Sequence, residues 1–143
     1  MRSRRTLAAV GFVLALVLTA CGGGGGGGGG GANSSSSSGG SGNAPVKAGA
    51  RQIDVDARSF KFTPDTIDVK AGENIAIALH SEDQTHDFVI EGKGSMPTTK
   101  VVEVQGGKTA TGGFSIAQPG TYTFYCSIPG HRAAGMVGTI TVT

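Results

Sequence analysis

Ile75-Ala76-Ile77-Ala78-Leu79 places its largest aliphatic residues at every second position, with alanine between them. A period of two is the signature of a strand with one face in a core, because successive Cβ atoms point to opposite faces of a sheet. The same pattern recurs on both sides. Upstream are Ile53 with Val55, Phe60 with Phe62, and Ile67 with Val69. Downstream come Phe88 with Ile90, Val102 with Val104, Phe114 with Ile116, Tyr122 with Phe124, and Ile140 with Val142. Turn formers separate the runs at Pro64-Asp65, Ala71-Gly72, Gly92 to Gly94, Gly106-Gly107 and Pro119-Gly120. No stretch keeps a 3.6-residue period. Short, evenly spaced strands with Gly and Pro between them predict an all-β, Greek-key β-sandwich of antiparallel strands over residues 51–143.

The first third of the chain has a different texture. Of 143 residues, 26 are glycine, and ten glycines run consecutively from Gly22 to Gly31. Such a tract has no side chains to bury and cannot offset the entropy of an ordered backbone. Ahead of it, Arg2, Arg4 and Arg5 precede the apolar stretch Leu7 to Ala20. That stretch is too short for the roughly 20 residues of a spanning helix and fits the apolar region of an export signal. Residues 1–20 are therefore expected to be a signal peptide. Residues 21–50 are expected to be a flexible Gly/Ser linker with an r.m.s. span of roughly 30 Å. The total of 12 Lys and Arg against 10 Asp and Glu includes the three signal arginines; without them nine face ten, a net charge of −1. No basic stripe remains for a nucleic acid.

The chemistry is concentrated near the C-terminus. In Tyr122-Thr123-Phe124-Tyr125-Cys126-Ser127-Ile128-Pro129-Gly130-His131-Arg132-Ala133-Ala134-Gly135-Met136, a cysteine, a histidine and a methionine are spaced C-x4-H-x4-M. His86 opens the run His86-Asp87-Phe88 forty residues upstream of Cys126. One thiolate, two imidazoles and a thioether are the donors of a mononuclear copper site with a weak axial methionine. Such a set suits both oxidation states, so little has to move when an electron arrives. It also leaves no obvious open position for a substrate. Strand parity agrees: Cys126 shares a face with Tyr122 and Phe124, His86 with Phe88 and Ile90, and Met136 with Ile140 and Val142. His131 falls on the loop between the last two strands, where one ring edge is expected to reach solvent. His80 has the opposite parity to its neighbours and is expected to face solvent without a metal.

These residues resemble the cupredoxin family of small type 1 blue copper proteins, the plastocyanins, azurins and auracyanins. The resemblance covers essentially all of residues 51–143. It rests on Phe60-Lys61-Phe62-Thr63-Pro64, on Ile67-Asp68-Val69-Lys70-Ala71-Gly72, on His86-Asp87-Phe88, and on the Cys–His–Met loop, whose spacing is closer to auracyanin than to plastocyanin. It implies one copper per chain held by His86, Cys126, His131 and Met136, and single-electron transfer rather than catalysis. It further implies an electron-transfer or docking role for Tyr125, Ile128, Pro129, Ala133 and Ala134 around His131. Family members often carry Asn after the first histidine. Here Asp87 stands there, a carboxylate beside the ligands that can accept a hydrogen bond and whose charge tends to lower the reduction potential. Leu18-Thr19-Ala20-Cys21 resembles a bacterial lipoprotein signal, which implies lipidation of Cys21 and anchoring at the outer face of the cytoplasmic membrane.

Cys126 is then a lone thiol in an oxidising compartment, and copper ligation gives it an occupation. A Cys126–His131 nucleophilic dyad is the enzymatic alternative, but the sequence offers it no nucleophile-bearing helix and no orienting Asn or Asp. A binuclear copper site needs a second cysteine in the loop, and a multicopper enzyme needs further domains and histidines. The expected partners are a redox donor and acceptor at the membrane, such as a copper-containing oxidase or a quinol-oxidising complex, with the chain itself monomeric. The rival reading is an extracytoplasmic copper-binding or buffering module.

Overall fold

The computed structural model describes residues 42–143. The expected signal peptide, Cys21 and the linker up to residue 41 lie outside the described residues. Nine strands follow in order: β1 (Arg51–Arg58), β2 (Lys61–Thr63), β3 (Thr66–Val69), β4 (Ile75–Ser81), β5 (His86–Ile90), β6 (Thr99–Val104), β7 (Thr109–Phe114), β8 (Gly120–Tyr125) and β9 (Val137–Val142). They form a four-stranded sheet, β2-β1-β4-β7, and a five-stranded sheet, β3-β9-β8-β5-β6, packed as a sandwich. No helix occurs among the described residues.

The expected antiparallel arrangement holds for most pairs but not for β1 with β4 or β3 with β9, which run parallel. Alternation along a strand determines which face is buried, not which way its neighbour runs. The direction here follows from the chain crossing between sheets, as it does from β3 to β4 and again from β4 to β5.

The inward residues of both sheets make one core that includes Val55, Ile67, Ile77, Leu79, Val102, Ile140 and Val142. At its centre Phe88 and Phe124 stack at 4.3 Å between ring centroids, and Phe62 packs against both at 5.8 and 5.1 Å. Offset aromatic packing of this kind adds to simple area burial and fixes ring positions. β5 departs from alternation, since all five of its residues are buried. A bulge between Phe88 and Val89 interrupts its pairing with β6.

Two sequence expectations change. Phe60 does not continue the core face of Phe62. It occupies the two-residue turn closed by the Arg58–Lys61 pair, with φ of 61° beside Ser59 at 48°. Positive φ at both central positions is the hairpin geometry whose twist matches the flanking strands, and it throws the Phe60 ring outward to 39% exposure. The segment before β1 is also tied to the sandwich. Ala44 N–H donates to the Val101 carbonyl (2.9 Å), Gly113 N–H donates to the Ala44 carbonyl (3.0 Å), and Glu103 N–H donates to Asn43 Oδ1 (2.9 Å).

Gly112 and Gly113 permit this closeness. A Cβ on Gly113 would lie 2.5 Å from the Pro45 carbonyl oxygen, and one on Gly112 would collide with the Val101 carbonyl of β6. Neither obstacle is a flexible side chain. Gly112→Ala is expected to cost roughly 1–3 kcal/mol by overpacking. It should lower the urea midpoint without changing the slope of the transition.

Candidate metal centre

The donors are assembled by sheet pairing and then by one closed loop. β5 and β8 are neighbours through Val89–Tyr125 and Ile90–Phe124, which sets His86, at the start of β5, near Cys126, just past the end of β8. The loop from Cys126 to Met136 is closed by Cys126 N–H donating to the Met136 carbonyl (3.2 Å). Inside it, His131 N–H donates to the Ile128 carbonyl and Met136 N–H to the His131 carbonyl, each at 3.0 Å. Gly130 and Gly135 take φ of 87° and 98° immediately before His131 and Met136. Glycine adopts that left-handed backbone without steric cost, so both donors can turn back into the fold.

The result is a compact group of buried donors. Cys126 Sγ lies 3.3 Å from His131 Nδ1 and 3.9 Å from His86 Nδ1, and the two Nδ1 atoms are 3.2 Å apart. Cys126, His86 and Met136 are fully buried, and His131 is 6% exposed. The expected solvent-reaching edge of His131 is mostly covered, because the Phe60 ring meets it edge-on at 5.0 Å. His80 stays outside this group, with Nδ1 2.9 Å from Thr109 Oγ1.

Two of the donors are held by further hydrogen bonds. His86 Nε2 donates to Asp83 Oδ1 at 2.8 Å. Asp87 N–H donates to Cys126 Sγ at 3.4 Å. The Asp87 carboxylate is fully buried; it accepts from Ser127 N–H (2.5 Å) and from the Ser127 hydroxyl, and Lys100 Nζ lies 3.3 Å away. Asp87 thus joins β5 to the first residue of the loop, and Lys100 answers the negative charge that a neutral Asn would not carry. A buried charge without such partners would cost far more than its neighbours return.

The electrostatics follow from this packing. Burial pushes the Cys126 thiol up to about 11, with the Asp87 and Ile128 backbone N–H groups pulling the other way. Burial, and after it the nearby His86, hold the His131 imidazole below its ordinary value. Asp83 is held down at about 2, chiefly by the Ser59 N–H and then, against some desolvation, by His86. A nucleophilic cysteine needs an exposed, electropositive setting that lowers its pKa. The setting of Cys126 is the reverse, so the dyad alternative loses its chemistry.

The donor set fits copper. With Asp83 ionised, the hydrogen on His86 belongs on Nε2, leaving Nδ1 bare. Two imidazole nitrogens and a sulfur then face one another at close range in a buried pocket, where a cation would relieve the repulsion between their lone pairs. Soft sulfur with imidazole nitrogen is the donor mixture that copper takes in both oxidation states.

The surface residues expected around His131 are placed on that end of the molecule. Tyr125, Ile128, Pro129 and Ala133 line a shallow depression together with Arg132, and Ala134 is exposed next to Ala133. The Arg132 guanidinium lies 4.1 Å from the Tyr125 ring centroid and pairs with Glu91 at 2.8 Å. Asp83, Phe60, Ser127 and Lys100 were not visible as site residues in the sequence. Only Asp83, three residues before His86, carried a hint, since a carboxylate often orients a ligating imidazole.

Because the thiol must ionise to bind a metal, zinc(II) loading of the metal-free protein should release about one proton per chain at neutral pH. Apparent affinity should then rise about tenfold per pH unit while pH stays below the thiol value. A pH-stat titration reads both quantities.

Residues 50–143 match the family of copper-binding proteins described as the plastocyanin/azurin family. The chain is 34% identical over 94 residues to plastocyanin of Dryopteris crassirhizoma, which covers 59% of this chain and 89% of that protein. It is 32% identical over 78 residues to auracyanin-B of Chloroflexus aurantiacus, covering 52% of this chain and 33% of that one. The dithionite-reduced auracyanin of Roseiflexus castenholzii superposes with a TM-score of 0.55 at 25% identity, over 66% of this chain and 99% of its own. The family match, the sandwich and the buried nitrogen–sulfur donor cluster agree, and the chain belongs to the plastocyanin/azurin family of copper-binding proteins, with copper as its cofactor.

Proposed function

We propose that this protein carries single electrons between membrane-associated redox partners, using one type 1 copper held by His86, Cys126, His131 and Met136. The observation that supports this most directly is the convergence of three buried donor atoms within 4.8 Å of one another, with His86 hydrogen-bonded to Asp83, Cys126 to the Asp87 N–H, and His131 packed against Phe60. When bound there, copper supplies the one-electron exchange. The chain supplies rigidity: the Phe88–Phe124 stack beneath the site, the Cys126–Met136 loop closure and the Asp87–Ser127 tie all resist rearrangement. A cage that does not rearrange suits rapid exchange better than storage, for which tight but adaptable binding would serve.

The depression formed by Tyr125, Ile128, Pro129 and Ala133 is the proposed docking face, with Ala134 beside it. It is shallow and mostly apolar, with Arg132 as its one charged lining residue, which suits brief encounters. Tyr125 directly precedes Cys126, so its ring is joined to the sulfur by a short bonded path. Lipidation at Cys21 and the Gly/Ser linker complete the reading, keeping the domain near partners at the outer face of the cytoplasmic membrane. No enzymatic step is assigned to it.

Addition of one equivalent of copper(II) should raise an intense visible thiolate-to-copper band that ascorbate removes and a mild oxidant restores over repeated cycles. A band that decays through loss of the Cys126 thiol, or none at all, would overturn the electron-carrier reading and favour copper buffering. In cells, Cys21→Ala should move the protein from the membrane fraction to the soluble exported fraction, read by fractionation and immunoblot.

A further inference from the structure

Asp83 touches two parts of the metal centre that are far apart in sequence. Its Oδ1 accepts from His86 Nε2 at 2.8 Å, and its Oδ2 accepts from the Ser59 N–H at 2.8 Å. Ser59 is the first of the two turn residues at positive φ between β1 and β2, and the second, Phe60, rests edge-on against His131 at 5.0 Å. Neither turn residue is glycine, so the left-handed backbone is strained at both. An ionised partner for the Ser59 N–H is a specific restraint on that strained turn. The two ring contacts meet again within the site, where the His86 and His131 rings are 4.9 Å apart.

We infer that Asp83 is the positioning residue of the copper centre, a single carboxylate that fixes the tautomer and orientation of His86 and holds the turn that seats Phe60 against His131. The inference rests on the copper-binding reading above and deepens it. One oxygen acts directly. With Nε2–H committed to Asp83, the neutral ring has its lone pair on Nδ1, the atom that would hold the metal, and the ring cannot rotate without breaking a charge-assisted bond. The other oxygen acts at a distance, through Ser59 and Phe60, on the second imidazole. The negative charge has a third effect. Placed behind a ligand, it favours the more highly charged ion, so it stabilises copper(II) over copper(I).

The test uses the full chain and two variants. In the metal-free wild type, nitrogen NMR should show His86 as a single Nε2–H tautomer. Asp83→Ala should give a tautomer mixture, faster hydrogen exchange at the Ser59 amide, and a loss of copper(II) affinity of about 10–100-fold. Copper(I) affinity should fall less, and each tenfold change in the ratio of the two raises the reduction potential by about 59 mV. Asp83→Asn keeps an oxygen for His86 but loses the charge, so it should restore the single tautomer while the potential stays raised. A purely structural role would not separate tautomer from potential in this way.

Unchanged tautomer and unchanged affinity ratio in Asp83→Ala would overturn the inference. If that variant does not fold, Asp83→Asn decides alone: a shifted ratio supports the assignment and an unshifted one overturns it. A wild-type protein lacking the blue band would bring down the copper-centre reading together with this one. A wild type with the band and indifferent variants would bring down only the role of Asp83.

Discussion

Everything at the metal centre depends on β5 lying next to β8. That pairing brings His86 and Cys126, 40 positions apart in the chain, close enough for the Asp87 N–H to reach the Cys126 sulfur. Loop residues alone would hold a thiolate loosely, because each would spend conformational entropy to stay in place. Here the entropy cost is met by the core, since Phe88 follows His86 by two positions, Phe124 precedes Cys126 by two, and the rings of the two stack at 4.3 Å. The donors are extensions of a fully buried, stacked pair of rings in the core. The remaining donors then need only a short loop, closed at its ends by one hydrogen bond and turned twice at glycine.

The same arrangement explains how a buried carboxylate is tolerated beside the site. Asp87 follows a donor on a strand buried along its whole length, so its side chain has no route to water. It is stabilised instead by two groups of Ser127 and by Lys100, which lies across the β5–β6 pairing near Glu103. The bond an Asn would make to the loop is made by a charged residue that carries its own counter-ion. The field of that carboxylate on the metal is offset in part by Lys100. Among the described residues no lysine lies within ion-pair distance of Asp83, on the other side of His86, and its charge acts on the ligand more directly.

Much of this was legible in the sequence, and the exceptions have physical causes. The inward parity of Cys126, His86 and Met136 was correct because each continues a strand, where a period of two is enforced by backbone geometry. The same rule misplaced Phe60. Alternation was carried through a turn, and the turn was masked because its two central residues are Ser and Phe rather than the usual Asn and Gly. Parallel pairing of β1 with β4 and β3 with β9 was invisible, because a strand's pattern encodes its buried face and not the direction of its neighbour. The solvent edge expected at His131 is mostly covered for a related reason: the covering ring comes from a turn more than seventy residues upstream (Phe60 to His131), and no local pattern reports a contact of that range.

The attachment of the segment before β1 has a mechanical consequence. Asn43 is held by Glu103, and Glu103 is the register partner of Asp87, one step from the Val104–His86 pair. Asn43 therefore lies toward the end of the sandwich that carries the donors and not at the far end where β1 begins. A pull on the backbone at Asn43 is therefore carried into the sandwich through Glu103, beside the strand pair that presents His86, and not through the first residues of β1.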